Sequence, residues 1–225
     1  FEYYLHVGRL IKEFDKIMSG ATGKNYESLL EAAEILFSRK GYASATLRDI
    51  ATALGFRHAS LYYYFPGGKE ELFIEVMRYS IRRHGQALAE ILDRAQGDIR
   101  AQLYGSADWF LSQPPLDLVR MYQSDMPAID QGKARKLMEE LQKEILLRLQ
   151  FALQQADEVG QIHCPNPALV GGALVGMLES FHSMPDFAVR ESKPLMAKEL
   201  IDILLRGLNY RGSDTINFNA NKELS

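Results

Sequence analysis

The chain holds a single cysteine, Cys164, a single tryptophan, Trp109, and no uninterrupted apolar run of bilayer length. One cysteine excludes an intrachain disulfide and a cysteine-rich zinc site, and it suits a reducing compartment, so a cytoplasmic protein is expected. The longest uncharged stretch, Val159 to Leu178, is interrupted by His163, Pro165, Asn166 and Pro167, which argues against a lipid-spanning helix and so against a membrane protein. Catalytic signatures are missing too. There is no GxSxG, HExxH, complete P-loop or GxGxxG, and GATGK at residues 20–24 lacks the phosphate-loop spacing. Cys164 follows His163 in HCPNP, a loop-like run in which adjacent residues need not face each other. No enzyme activity, metal or cofactor is expected.

Long alternation of apolar and polar residues is also absent, whereas apolar positions recur at three and four residues from Tyr26 onward, so the fold class expected is all-α. The run YESLLEAAEILFSRKG places Leu29, Ala32, Ala33, Leu36 and Phe37 on one face, with Asn25 as candidate N-cap and Gly41 as stop. A second helix is expected from about residue 46 to 54, ended by Gly55, and a short third from about 58 to 64, closed by Pro66, Gly67 and Gly68. A long fourth begins near Lys69 and passes Arg94. It contains Gly85, which costs a helix interior about 1 kcal/mol relative to Ala. Further helices are expected over roughly 98–112, 115–126, 130–158, 167–183 and 194–210.

Net charge is only −3, which by itself does not mark a generic polyanion binder, yet the charge is uneven. Residues 24–85 carry nine Lys/Arg against seven Asp/Glu, and residues 86–225 carry fourteen against nineteen. A mildly basic front and an acidic back fit two domains with different partners. In the front lies GFRHASLYYYFPGGKEEL, with the adjacent tyrosines Tyr62, Tyr63 and Tyr64. A tyrosine hydroxyl needs a partner when buried, but at a surface it can donate to a phosphate while its ring packs. The second helix, a glycine turn and the third helix have helix-turn-helix spacing, with Ile50, Ala51, Leu54 and Leu61 as the small joint core. Double-stranded DNA is the partner this points to.

The run ATLRDIATALGFRHASLYYYFPGGKEEL, preceded by AAEILFSRKGYA, resembles the DNA-binding domain of the tetracycline-repressor (TetR/AcrR) family of bacterial transcription regulators. The likeness spans about residues 26–73 and rests jointly on Phe37, Gly41, Thr46, Ile50, Ala51, Gly55, Leu61, Tyr62, Phe65, Lys69, Glu70 and Leu72. Arg57 departs from the pattern where a small hydroxyl residue is usual, as do Tyr64, where His is common, and the Gly67-Gly68 turn. DNA-binding candidates are Thr46, Arg48, Arg57, His58, Ala59, Ser60, Tyr62, Tyr63, Tyr64 and Lys69. Thr46 is a helix cap that can also offer a phosphate its hydroxyl or amide. Arg57 and His58 open the recognition helix, where base edges are reached first, and Arg57 can pair with guanine or hold a phosphate. Successive helical residues turn by about 100°, so the tyrosines and Ser60 cannot all face the groove. The resemblance makes Tyr62 partly structural, Tyr63 the outward reader, Tyr64 a backbone contact, and Arg48 and Lys69 phosphate or groove contacts.

The resemblance implies a three-helix helix-turn-helix domain over residues 24–72, joined by a long helix to an effector-binding and dimerisation domain over residues 73–210. Residues 1–23 read as an extension, an amphipathic helix on a tether with Met18 as a possible start, and residues 211–225 as a polar tail. Tyr104, Trp109, Phe110, Met121, Tyr122, Met177, Phe181 and His182 have the composition of a small-molecule site, although each alone fits a core position equally well. Val170, Gly172, Leu174, Gly176, Leu200 and Leu204 are the expected dimer-interface residues, the glycines permitting close helix approach. The function expected is a ligand-responsive homodimeric repressor on a palindromic operator, released by a small apolar or amphipathic effector. A helical enzyme and a protein-binding adaptor are the alternatives.

Overall fold

A computed structural model describes residues 25–53, 61, 62, 64–189 and 191–209. Among them every regular element is a helix, in line with the expected all-α class. Helix α1 (Asn25–Ser44) starts on Asn25 itself, one residue before the expected start. Leu29, Ala33 and Phe37 recur every four residues and are buried. Gly41 breaks the helix with φ 72°, as a stop should, but a further turn follows to Ser44. Helix α2 (Leu47–Ala53) follows directly, and Leu47, Ile50 and Ala51 close a small core with Leu61 and Phe65. Leu54 and Gly55 of the expected turn lie outside the described residues. Leu61, Tyr62 and Tyr64 are helical, and Gly68 at φ 72° turns the chain into α3.

Helix α3 (Gly68–Arg94) has 27 residues, about 40 Å at 1.5 Å per residue, and runs from the N-terminal head into the second domain. Phe73 meets Phe37 of α1 edge-on at 5.1 Å between ring centroids. Tyr79 donates to Glu31 at 2.8 Å and Arg83 pairs with Glu34 at 2.9 Å, so α1 is tied along α3 by polar contacts as well. Gly85 proves to be more than a weak point in the helix. A Cβ there would stand 2.9 Å from Glu144 Cβ and 3.2 Å from its carbonyl oxygen, so glycine is what lets the next layer cross.

That layer is α6 (Gln131–Leu141) and α7 (Leu147–Glu158), expected as one uniform helix but joined through a π turn, Gln142–Leu146, at the crossing. Helix α4 (Ile99–Ser112) is capped by Asp98, which accepts from the Ala101 amide at 3.1 Å. The expected helix over residues 115–126 is corrected to three short pieces. A single α turn, α5 (Leu118–Arg120), passes into a π turn, Met121–Asp125, and then a 3-10 turn, Met126–Ala128. Pro114 and Pro115 delay its start, Asp117 caps it from a left-handed φ of 45°, and Pro127 closes it. Helix α8 (Pro167–Ser180), capped by Asn166, and α9 (Lys193–Leu208) complete the second domain. Asp202 of α9 accepts from Tyr104 and Arg100 of α4 at 2.7 and 2.5 Å.

Candidate nucleic-acid interface and effector domain

The start of α2 is locked by a reciprocal cap. The Asp49 amide donates to Thr46 Oγ1 at 3.1 Å, and the Thr46 amide donates to Asp49 Oδ2 at 3.3 Å, which satisfies two donors that a helix start otherwise leaves open. Lys40 lies 3.2 Å from the same carboxylate, and these bonds hold the Asp49 pKa below the ordinary value. Thr46 and Arg48 are exposed on this end of the head, and Tyr62 and Tyr64 are exposed nearby in the sequence at 48% and 42%. The structure therefore leaves these four at the surface. Arg57, His58, Ala59, Ser60 and Tyr63 lie outside the described residues.

Lys69 has another engagement. Its ammonium donates to the Tyr42 carbonyl at 2.9 Å and the Ala43 carbonyl at 3.4 Å, and stands 4.3 Å over the Tyr42 ring. A cation at the N-terminus of α3 is unfavourable on its own helix, but the C-terminal carbonyls of α1 carry the opposite partial charge and compensate it. Lys69 thus fastens α1 to α3, a role the sequence reading did not assign.

Head and second domain meet at a seam that sequence reasoning missed. Arg120 donates to the carbonyls of Ser38 at 2.8 Å and Phe37 at 3.2 Å, and through Nε to Asp125 at 3.3 Å. Asp125, 4% exposed, accepts from the Tyr42 amide at 2.9 Å. Because α1 breaks at Gly41, its end carbonyls need outside donors, and Arg120 supplies them from the second domain. A cavity of about 20 Å³, room for about one water, lies beside it, lined by Glu34, Phe37, Ser80, Leu116, Met121 and Asp125 among others.

The eight expected effector residues do not form one pocket. Trp109, Phe110 and His182 come together: Phe110 stacks on His84 at 5.1 Å, Trp109 bonds His84, and His182 Nε2 lies 3.2 Å from the Phe110 carbonyl. Met121 sits at the seam instead, Tyr104 is held at Asp202, and Tyr122 is 56% exposed on the π turn, so it does not line an enclosed site. Met177 is half-buried and Phe181 buried in the core. A groove of about 680 Å³ between the α3–α4 turn and the end of α7 is lined by Gln96, Asp98, Gln102, Gln155, Glu158 and Gln161 and includes none of the eight. Of the dimer candidates, Leu174 is corrected: it is 1% exposed, packed in the chain's own core. Val170, Gly172, Leu200 and Leu204 are half-buried and Gly176 is exposed.

Glu179, a lone acid closing an otherwise apolar helix, is buried beside these residues. It accepts from the Asp117 amide at 3.1 Å, while its Oε1 meets no partner. Burial lifts its pKa from the ordinary 4.5 to about 7, against the opposing pull of the Asp117 and Leu116 amides. A carboxyl whose folded pKa is raised contributes stability below its unfolded value and loses it as pH rises towards the folded value. Wild-type protein is therefore expected to lose about 2 kcal/mol more than Glu179→Gln between about pH 5 and about pH 8. Parallel melting curves of the two proteins across that range check this, and coincident pH profiles would refute it.

Comparison with known proteins turns on the head. Residues 29–76 match the family model for bacterial regulatory proteins of the tetR family. The chain belongs to the TetR family. The transcriptional repressor KstR2 of Rhodococcus jostii (strain RHA1) is 42% identical over 60 residues, covering 27% of this chain and 28% of that protein. The curated relatives are matched over between 28% and 41% of their own length. The crystal structure of the TetR-family regulator PfmR from Thermus thermophilus is 25% identical, with a TM-score of 0.63 over 81% of this chain and 99% of that one. AibR, solved with isovaleryl coenzyme A and operator DNA, shares the fold at 19% identity and a TM-score of 0.63, over 80% of this chain and 98% of that one. These TetR-family relatives are transcriptional regulators, not enzymes, and the described helices include none long and apolar enough to cross a membrane.

Proposed function

We propose that this TetR-family chain is a cytoplasmic, homodimeric, ligand-responsive repressor that binds a palindromic operator through residues 46–69 of each subunit. A small apolar or amphipathic effector in the second domain releases it. The observation that carries this reading is the capped, exposed start of α2, which follows directly on α1, itself tied by Lys69 to the long helix α3 and by Arg120 to the second domain. The exposed Thr46 and Arg48 suit a phosphate, and two such heads suit two half-sites about 34–36 Å apart on one DNA face. Helix α3 is tied to α1 at Tyr79 and Arg83, so a ligand that favours one placement of α3 changes the placement of the head.

Fluorescence anisotropy with the chain's own upstream DNA tests this. Arg48 is exposed, so Arg48→Ala is expected to leave the melting temperature unchanged, weaken binding to all sequences alike and lower the salt slope by about one unit. Failure of the wild-type protein to retain any DNA over random sequence would favour the adaptor reading.

A further inference from the structure

One buried group in the second domain has a hydrogen bond that the fold leaves unmade. Trp109 Nε1 on α4 lies 3.0 Å from His84 Nδ1 on α3. An indole N–H can only donate, so Nδ1 is the acceptor and a neutral imidazole must carry its proton on Nε2. His84 is wholly buried, and burial, with smaller contributions from Arg83 and His182, lowers its pKa to about 3, so the ring stays neutral. Its Nε2 meets no acceptor. The ring is held between Phe110, stacked at 5.1 Å and 18°, and Trp109, edge-on at 6.0 Å and 82°. Rotation would relieve Nε2 only by breaking the Trp109 bond. The donor is therefore fixed in place and unmet.

Other buried polar atoms are unmet too, Glu179 Oε1 on α8 and Ser80 Oγ, Arg83 Nε and Glu34 Oε2 where α1 meets α3, but none of them is a neutral ring donor clamped between two aromatic neighbours. Gln102 donates to the Leu92 carbonyl and Ser106 to the Gln102 carbonyl, and the Arg83 guanidinium pairs with Glu34. Around His84, Ile81 and Leu88 one turn away on α3 are buried apolar side chains, as is Phe110 on α4. Placed there, a carboxylate would lose its water for one neutral N–H, a poor exchange, whereas a neutral oxygen loses little and gains a bond.

We propose that the His84 Nε2–H is the polar anchor of the effector site, and that the effector is an uncharged, largely apolar molecule presenting a carbonyl oxygen to it. This rests on the reading of the second domain as effector-responsive. Trp109 is a positioning residue, fixing the tautomer through Nδ1, and its fluorescence reports occupancy because it is the only tryptophan. The anchor is retained at the expense of stability, as functional groups often are.

The test uses acetophenone, cyclohexanone and 2-decanone, each paired with the hydrocarbon of the same carbon skeleton, on the full chain and on His84→Phe. Wild-type protein is expected to bind at least one ketone about tenfold or more tightly than its hydrocarbon, the worth of one neutral bond, read by Trp109 fluorescence and melting temperature. His84→Phe, which leaves Trp109 Nε1 without its acceptor, is expected to fold and to lose the preference for the ketone. Nitrogen-15 spectra of the wild-type imidazole, which need no variant, should show Nε2 protonated and Nδ1 bare down to about pH 5, well above the folded pKa. The inference is overturned by equal or absent binding of every pair, by an undiminished ketone preference in His84→Phe, or by the opposite tautomer. Loss of all specific operator binding by the wild-type protein would instead sink the regulator reading. The anchor can thus fail while that reading stands.

Discussion

Arg120→Ala is expected to lower stability by about 3 kcal/mol and to weaken operator binding beyond what that loss explains. The guanidinium bonds the Ser38 and Phe37 carbonyls, joining the second domain to α1, and it is the charge opposite Asp125, whose carboxylate is 4% exposed. Removing it strands two carbonyls of a broken helix end and leaves a buried anion that only the Tyr42 amide still satisfies. Because the Arg120 side chain is itself 25% exposed, solvent moderates the loss, which places the figure near the lower end for a buried pair. Adding Asp125→Asn should restore part of the stability, since the stranded charge is gone while an acceptor for the amide remains. Arg120→Lys keeps the charge but lacks the planar fork, so it should fall between wild type and Ala. Denaturant melts and operator titrations of the wild type, these three variants and the Asp125→Asn single variant check the set. Strict additivity in the double mutant would show that the two side chains do not act as a pair.

The head was legible because its signals are local. Thr46 and Asp49 sit three residues apart in the pattern of a cap, and the glycine at residue 41 stands where the backbone needs positive φ. The seam was not legible, because it depends on where a distant turn arrives. Arg120 on a three-residue helix reads in sequence as a solvated charge, and its pairing with Asp125 five residues on requires the π turn between them. Gly85 looked like a weak point for the same reason, since the element it admits lies 59 residues later at Glu144. Composition grouped Trp109, Phe110 and His182, which the fold brings together, with Tyr104, Met121 and Tyr122, which it does not, because aromatic and sulfur side chains serve a core, a seam and a surface equally well. His84 could have been noticed as the one titratable residue on the apolar face of α3 between Ile81 and Leu88. Lys69 was assigned to a phosphate when a nearer set of carbonyls was available to it.

Helix α8 has two unlike sides. Toward the chain's own core, Leu174, Val175 and Leu178 are buried, and a Cβ on Gly171 would lie 3.5 Å from the Gln150 backbone. Away from it, Leu169 is 65% exposed, and a Cβ on Gly172 or Gly176 would meet nothing within 4 Å. On α9, Leu195 and Ile203 are exposed at 52% and 58%, next to half-buried Leu200 and Leu204. Those two surfaces are the proposed four-helix interface with a second copy, in which bare glycines let the helices approach closely. The double substitution Gly172→Leu and Gly176→Leu should therefore leave the folded monomer intact, since there is room within the chain and leucine favours a helix over glycine by about 0.5–1 kcal/mol. Between copies the added side chains hold the backbones apart, and the dimer dissociation constant should rise by about 100-fold or more, about 2.7 kcal/mol. Operator affinity should fall with it, because a single head reads one half-site. Gly171→Leu is the control, expected to destabilise the monomer itself. Sedimentation velocity over a concentration series decides the matter, and a double variant that sediments as an unchanged dimer would place the interface elsewhere on the chain.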